Sequence, residues 1–426
     1  MDPITGMRDL FGVELRRRRY LVQSLTGVAE SFGYEPVSVS LVERAEAYSE
    51  EIVGMSPWPE WNRKGCFFFD VEDYERAYTE APGITRAVLV PEGTLSITRW
   101  LGAQLGSAGA DSRLPLKIYY EQSCFRNELT GSLTGTKGRQ FAQFGVEILG
   151  GRGPVADVEP LVLAHEMIRQ VAGDNLEIVF RISSNKLFLA LAERCGLTLR
   201  ARVQLKEWLD TLAECRAGKG LERAQATREA TMDFLGERVT AEQLCQWEYI
   251  VDRPAGSVTM TDLEMFAEIA PDEISAVRDV TEALARRGLT CEVDFCVVRS
   301  HEYYTGLTFE IDLIGPAGRA VEVGGGGRYD RLMGHFVAPG GPAQVPCTGF
   351  AFGLERLQAA LDGILDSAGQ RTLACAFDLS VTGEVRRVRG PSAGSVTQAV
   401  TEYLDNVVAL REDRRTQRVS ADVTRT

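Results

Sequence analysis

Phe125-Arg126-Asn127-Glu128 is followed by a polar, Gly/Thr-rich stretch and then by Arg139-Gln-Phe-Ala-Gln-Phe-Gly-Val-Glu147. Successive side chains of a strand point to opposite faces, so Arg139, Phe141, Gln143, Gly145 and Glu147 fall on one face if this segment is extended. That face would hold a cation, an aromatic plate, an amide and a carboxylate. Arg126 and Glu128 would share a face of the strand before it. A hairpin lined this way suits a nucleotide: arginine for phosphate, a ring for the base, a carboxylate for a cationic or hydrogen-bond-donating group. An ordinary polar sheet face has the same composition, and the hairpin alone does not decide between the two. A second segment does. Gly349-Phe-Ala-Phe-Gly-Leu-Glu-Arg356-Leu reads as a short buried strand, a glycine that lets a ligand approach the backbone, and a helix with Arg356 in its first turn, within reach of a phosphate.

The elements that must position these residues follow from periodicity. Leu21, Leu25, Val28 and Phe32 lie at helical spacing, which predicts a helix over 15–32 that Gly33-Tyr34 stops, with an extended segment running on to residue 42. Residues 51–78 are aromatic-rich and read as loops and short strands. Residues 88–90 lead into Pro91-Glu-Gly-Thr94, and 95–105 read as a helix. The hairpin occupies 116–149, a helix 160–171 and a strand 176–182. From 187 to 287 the chain is rich in Ala, Leu, Glu and Arg at helical spacing, which predicts a helical insertion between two halves of a sheet domain. Strand and turn return over 291–314 and 321–330, where Gly324–Gly327 is expected to form a tight turn, and 348–365 read as strand plus helix. The four parts are 1–186, 187–287, 288–365 and a C-terminal extension, 366–426. The extension is basic and polar over 381–395, with a helix expected over 396–411 and disorder beyond it. No repeat of solenoid period is present.

Bulk properties narrow the class. The chain has 426 residues, 44% hydrophobic and 25% charged, enough for one large or several modest domains with their own cores. It has no apolar run of membrane-spanning length and no signal-peptide pattern, so the expectation is a soluble cytoplasmic protein. Nine scattered cysteines without a Cys-x-x-Cys argue against structural zinc and a disulfide framework, and His165, His301 and His335 are too few for a histidine-rich metal site. No protein-held metal is expected, although magnesium can enter through carboxylates and substrate phosphates. A formal charge of −13 excludes general nucleic-acid binding by long-range attraction. The run Arg16–Arg19 lies on the predicted helix and reads as a solvated face.

The two phosphate-reaching segments resemble motifs 2 and 3 of class II aminoacyl-tRNA synthetases. Pro91-Glu92-Gly93-Thr94, Gln143-Phe-Gly-Val-Glu147, Arg299-Ser-His-Glu-Tyr-Tyr304-Thr-Gly, Gly325-Gly-Gly-Arg-Tyr-Asp330 and the opening Gly6-Met-Arg-Asp-Leu10 narrow the resemblance to histidyl-tRNA synthetases. The blocks keep the family's order from Gly6 to Leu357, and several motifs in register are a far stronger signal than any one. The resemblance implies an α+β fold: a six- or seven-stranded antiparallel sheet flanked by helices, with a helical insertion, in a homodimer built on the first helix and strand. It implies ATP and Mg2+ as cofactors. Arg126 and Arg299 would be the catalytic arginines at the α-phosphate. Glu128, Lys137, Arg139, Phe141 and Arg356 would complete the ATP site. Glu92, Thr94 and Gln143 would receive the α-ammonium, and Glu147 with Tyr303 and Tyr304 the imidazole of histidine or a close analogue. An imidazole presents nitrogens at opposite edges, which a carboxylate and a phenol can match.

The sequence also departs from the pattern. Ser40 replaces the motif-1 proline, and Lys137 stands where the family has an arginine, keeping charge without the bidentate fork. The loop 129–138 is longer than usual. Ser300-His301-Glu302 replaces Gly-Leu-Asp, with His301 either filling space or contacting substrate, and Val90 replaces an arginine. Residues 366–426 are too short, and lack the alternation, for the family's anticodon-binding domain. Three readings follow. The first is adenylation of an amino acid and its transfer to a carrier protein, an amine, a small metabolite or a tRNA, which includes a truncated synthetase. The second resembles the regulatory subunit of ATP phosphoribosyltransferase, and the third is a sensor of histidine or uncharged tRNA.

Overall fold

In the computed structural model the described residues are 2–54, 65–73, 83–105, 114–128, 130, 133, 136–173, 176–215, 221–253, 256, 258, 260–298, 303–315 and 320–367. The chain divides into two units, residues 1–364 and residues 365–426; the description below concerns the first. Arg299, residues 300–302 and the helix expected over 396–411 lie outside the described residues.

In chain order the elements are α1 (Val13–Ser31), β1 (Glu35–Pro36), β2 (Val42–Arg44), α2 (Glu50–Val53), β3 (Phe68–Asp73), β4 (Gly83–Leu89), α3 (Thr94–Gly102), β5 (Leu116–Phe125), β6 (Gln140–Leu149), α4 (Gly153–Ala172), β7 (Glu177–Ser184), α5 (Asn185–Arg194), α6 (Leu199–Glu214), α7 (Leu221–Gly236), α8 (Ala241–Asp252), α9 (Met260–Leu263), α10 (Pro271–Ala285), β8 (Thr290–Val293), β9 (Leu307–Ile314), β10 (Ala320–Arg328), β11 (Cys347–Gly353) and α11 (Leu354–Ser367). Eight strands form the main sheet in the order β1-β5-β6-β11-β10-β9-β7-β8. The central six run antiparallel, as expected, while the short edge strands β1 and β8 pair parallel to β5 and β7. β2, β4 and β3 make a separate three-stranded sheet.

Alternation divides the sheet into two faces. Phe144, Val146 and Ile148 of β6 point to one side with Phe350 and Phe352 of β11, and all five are buried. α1 and α4 lie on β6, and α4 on β11. Each fully buried large apolar side chain of this kind contributes about 1.5–3 kcal/mol. The other face carries Phe141, Gln143, Gly145 and Glu147, and is the polar one. α1 buries Leu21 and Leu25 as its spacing predicts. The arginine run on α1 is not simply solvated: Arg18 donates to Glu355 of α11 at 3.0 Å, and Arg17 lies 3.7 Å from Asp362.

Two helix and strand assignments differ from the sequence pattern for local reasons. α4 begins at Gly153, with Pro154 in its first turn, and carries Pro160 inside it rather than at its start. Proline is well placed in a first turn, where its missing N–H is not needed, and Pro154 rather than Pro160 takes that role. Gly324–Gly327 form no turn; they lie within β10, paired to β9 and β11. A Cβ at Gly326 would strike the Gly349 carbonyl and one at Gly327 the Leu307 carbonyl, so glycine here permits close strand approach.

Helices α5 to α9 fill the region read as an insertion. Three of them start at side-chain caps: Ser184 accepts from the Leu187 N–H, Thr198 from that of Ala201, and Thr240 forms a reciprocal box with Gln243. Trp247 of α8 is fully buried edge-on to Phe188. α10 lies against α4, β7 and β8 and therefore flanks the sheet. No described helix is long and apolar enough to cross a membrane.

Candidate active site on the polar face of the sheet

The hairpin sets the register. Cys124 pairs with Phe141, Gln122 with Gln143, Tyr120 with Gly145 and Ile118 with Glu147. Phe141, Gln143 and Glu147 share one face as the alternation predicts. Arg126 lies just past the end of β5 but on that face, against the Phe141 ring, and its N–H donates to the Arg139 carbonyl at 2.9 Å. β6 starts at Gln140 and β5 ends at Phe125. The Phe125 N–H turns to the Val90 carbonyl, and that of Asn127 to Gly65.

Arg126 therefore extends from the strand end. Its Nε donates to the Pro91 carbonyl at 3.1 Å, its guanidinium centre lies 5.0 Å from the centroid of the Phe141 ring, and neither Nη has a hydrogen-bond partner among the described residues. Ring and backbone fix the group while two donors stay available for an anion. Gln143 is fixed in the same way: its Oε1 accepts from the Gly93 N–H at 3.0 Å and from the Cys124 thiol at 3.3 Å.

Arg139 is used differently. It donates to the carbonyls of Glu128 at 3.2 Å and Thr5 at 3.1 Å and to the Thr130 hydroxyl at 3.3 Å, while its own N–H meets the Gly6 carbonyl at 2.6 Å. The opening Gly6 block is thus strapped to the hairpin through Arg139. Lys137 lies 3.2 Å from the Glu128 carboxylate at a half-open position.

Glu92 and Glu147 are buried at the centre. Glu92 spends both oxygens on the first N–H groups of α3, from Thr94 and Leu95 at 2.8 Å each, a favourable place for a carboxylate. Burial holds its carboxyl above the ordinary carboxylate range, against the pull of those hydrogen bonds and of Arg126. Glu147 accepts from the Thr94 hydroxyl at 2.9 Å and from the Tyr329 hydroxyl, and the Tyr120 hydroxyl lies 3.5 Å away. Burial pushes Glu147 up to about 8, although the Tyr329 and Thr94 hydrogen bonds oppose this. The Tyr120 ring is wedged where a Cβ on Gly93 or Gly145 would be, so both glycines are required by its position.

Tyr303 and Tyr304 stand with Tyr329 in one aromatic group, with centroids 4.9 Å apart for the first pair and 6.4 Å between Tyr304 and Tyr329. The Asn185 amide holds the Tyr304 carbonyl at 2.8 Å. Tyr329 and Tyr120 were not among the residues the sequence singled out. Tyr329 lies inside the Gly325–Asp330 block, which was the available signal.

Arg356, in the first turn of α11, donates to Glu322 of β10 at 3.0 Å. Its neighbour Glu355 accepts from the Ala142 N–H and from Arg18, at 3.0 Å each, and so joins α11 to β6 and α1. Further along the same face, the row Gly145, Ala351, Gly325, Glu310, Arg181 crosses five strands. Arg181 there holds Asp312 at 2.5 Å and Glu310 at 2.6 Å. No periodicity or motif pointed to this cluster. Among the described residues no group of three or more His, Cys, Asp or Glu side chains is arranged to hold a metal ion.

The comparisons with known proteins agree with the sheet. A histidine–tRNA ligase of Bradyrhizobium diazoefficiens is 27% identical over 381 residues, covering 84% of this chain and 71% of that protein. An ATP phosphoribosyltransferase regulatory subunit of Gloeobacter violaceus is also 27% identical, over 371 residues covering 84% and 78%. Among solved structures, the histidyl-tRNA synthetase of Nostoc sp. PCC 7120 superposes with a TM-score of 0.64 at 19% identity over 94% of this chain and 88% of that one. A Bacillus halodurans protein described as an ATP phosphoribosyltransferase regulatory subunit/histidyl-tRNA synthetase gives 0.63 at 18% over 85% and 83%. These structures share the fold: a central sheet flanked by helices, as in class II synthetases. The histidyl-tRNA synthetase family profile matches residues 88–357, which contain the hairpin, Glu92, Glu147, Tyr304 and Arg356, and the chain belongs to that family.

Proposed function

We propose that this chain activates an amino acid, histidine or a close analogue, as its adenylate with ATP. Arg126 carries the reading: it is held from two sides and keeps two donors for an anion, on the same face as the buried Glu147. In the reaction an oxygen of the substrate carboxylate bonds to the α-phosphorus, the bond from that phosphorus to the β-bridging oxygen breaks, and pyrophosphate leaves. The protein's part is to align the two reactants and neutralise charge. Arg126 would hold the α-phosphate and the carboxylate together, and Arg299 is assigned to the α-phosphate as well. Phe141 would receive the adenine, Arg356 the distal phosphates and the outer face of the base, with Glu128, Lys137 and Arg139 at the rim. Thr94, Gln143 and Glu92 would surround the ammonium, and Glu147 with Tyr303 and Tyr304 the side chain. The Mg2+ that accompanies ATP would be carried on its phosphates, because Glu310 and Asp312 are engaged by Arg181 and Glu322 by Arg356. The acyl acceptor is proposed to be a carrier protein, a small molecule or a tRNA. A cytoplasmic homodimer through α1 and the segment after it belongs to the same reading; the partly exposed Leu41 and Val42 and the exposed Ile84 give that region an apolar surface.

A second reading, a regulatory subunit, is favoured by one observation. An ATP phosphoribosyltransferase regulatory subunit is as similar to this chain, at 27% identity, as a histidine–tRNA ligase is. A chain that senses rather than activates needs no productive nucleotide site. Calorimetric titration with L-histidine and with a non-hydrolysable ATP analogue separates the two. Activation requires that both bind and that Arg126→Ala loses the analogue. Histidine binding with no analogue binding contradicts it, and capture of a phosphoribosyltransferase would then support the regulatory reading.

A further inference from the structure

Glu310 and Asp312 of β9 point to the same face as Glu147, since Glu310 lies in the cross-strand row of Gly145 and Asp312 is two residues on. Asp294 and Glu292 at β8 and Glu322 on β10 surround them. Two converging carboxylates beside a nucleotide face are the usual seat of a divalent cation, which takes carboxylate oxygens at about 2.0–2.6 Å. Here the space is filled. The Arg181 Nε lies 2.5 Å from Asp312 Oδ2, and its Nη2 2.6 Å from Glu310 Oε2 and 3.4 Å from Asp312 Oδ1. The guanidinium is planar and bridges the two side chains as a fork. It is also 7% exposed at its side chain, against 2% for Asp312, so the group is part of the interior and cannot swing into solvent without breaking the interior open.

We infer that Arg181 is the resident cation of this end of the face and that it keeps a divalent metal ion from binding between Glu310 and Asp312. The surrounding carboxylates outnumber it, so the site turns cation-binding once the guanidinium is gone. Glu322 does not substitute for the missing ligand, because it is tied to Arg356 at 3.0 Å. The inference concerns the same face as the proposed activation but does not depend on turnover, and it is tested without nucleotide or amino acid.

Mn2+ titration of the full chain, read by loss of the free-ion paramagnetic signal, provides the test. The wild type is expected to show no saturable site below millimolar Mn2+. Arg181→Gln is expected to gain one saturable equivalent at least tenfold tighter, and the double variant Arg181→Gln/Asp312→Asn to lose it. A wild-type site abolished by Glu310→Gln overturns the inference, and so does a folded Arg181→Gln chain that binds no more Mn2+ than the wild type. If Arg181→Gln is too unstable to titrate, its thermal midpoint is expected to rise with added Mn2+ and the wild type's to stay unchanged, and an equal response of the two overturns the inference.

Discussion

Arginines at the two ends of one sheet face are in opposite states. At the β5–β6 end Arg126 is fixed by a backbone carbonyl and a ring and keeps two donors unspent. At the β7–β9 end Arg181 is buried and spends its guanidinium on Asp312 and Glu310. The same side chain is poised for a ligand in one place and serves as an internal counter-ion in the other. What differs is the neighbourhood: Arg126 lies just past the end of β5, whereas Arg181 sits inside a strand with carboxylates in register beside it. Chemistry on this face is therefore expected near the hairpin, and architecture near β9.

Breaking each end should give a different kind of loss. Arg181→Met leaves Glu310 and Asp312 buried without a partner and should cost about 3–5 kcal/mol of folding stability, read by urea denaturation. A loss below about 1 kcal/mol would remove the interior ion pair from the account. Glu147 sharpens the contrast through pH. Its folded value of about 8 lies above its ordinary 4.5 because of burial, so the folded state holds the proton more tightly. The resulting stability is complete below about 4.5 and is lost as pH rises to about 8, by a few kcal/mol. Glu147→Gln should flatten that slope, and equal pH profiles would contradict it. The same variant should weaken an imidazole substrate more than other amino acids.

Arg126→Ala should lower adenylate formation by about 10²-fold or more while changing stability by only about 1 kcal/mol. A parallel loss of stability would make Arg126 a structural residue like Arg181. Lys137→Ala should do least. Its pair with Glu128 is half open to solvent, so stability should stay within about 1 kcal/mol of wild type, with ATP affinity lowered less than tenfold.

How much of this was legible in the sequence depended on range. The β5–β6 pairing was readable because alternation and turn lie within one short segment, and it placed Phe141, Gln143 and Glu147 correctly on one face. Arg126, Glu128 and Arg139 lie just past the strand ends, although the Arg126 N–H still reaches the Arg139 carbonyl. Nothing local announces that Phe125 will bond to Val90. The sequence pattern puts the start of α4 at Pro160, seven residues late, because proline inside a helix and proline at its start look alike. The Arg181 cluster was invisible, since residues 181 and 310 meet only through the register of β7 on β9. Edge strands as short as β1 carry no periodic signal at all.

The most direct measurement is ATP–pyrophosphate exchange by the purified full chain across the standard amino acids, without tRNA. Exchange that depends on histidine, and that is lost in Arg126→Ala, is the predicted result. No exchange with any amino acid, from a folded chain that still binds histidine, would contradict activation.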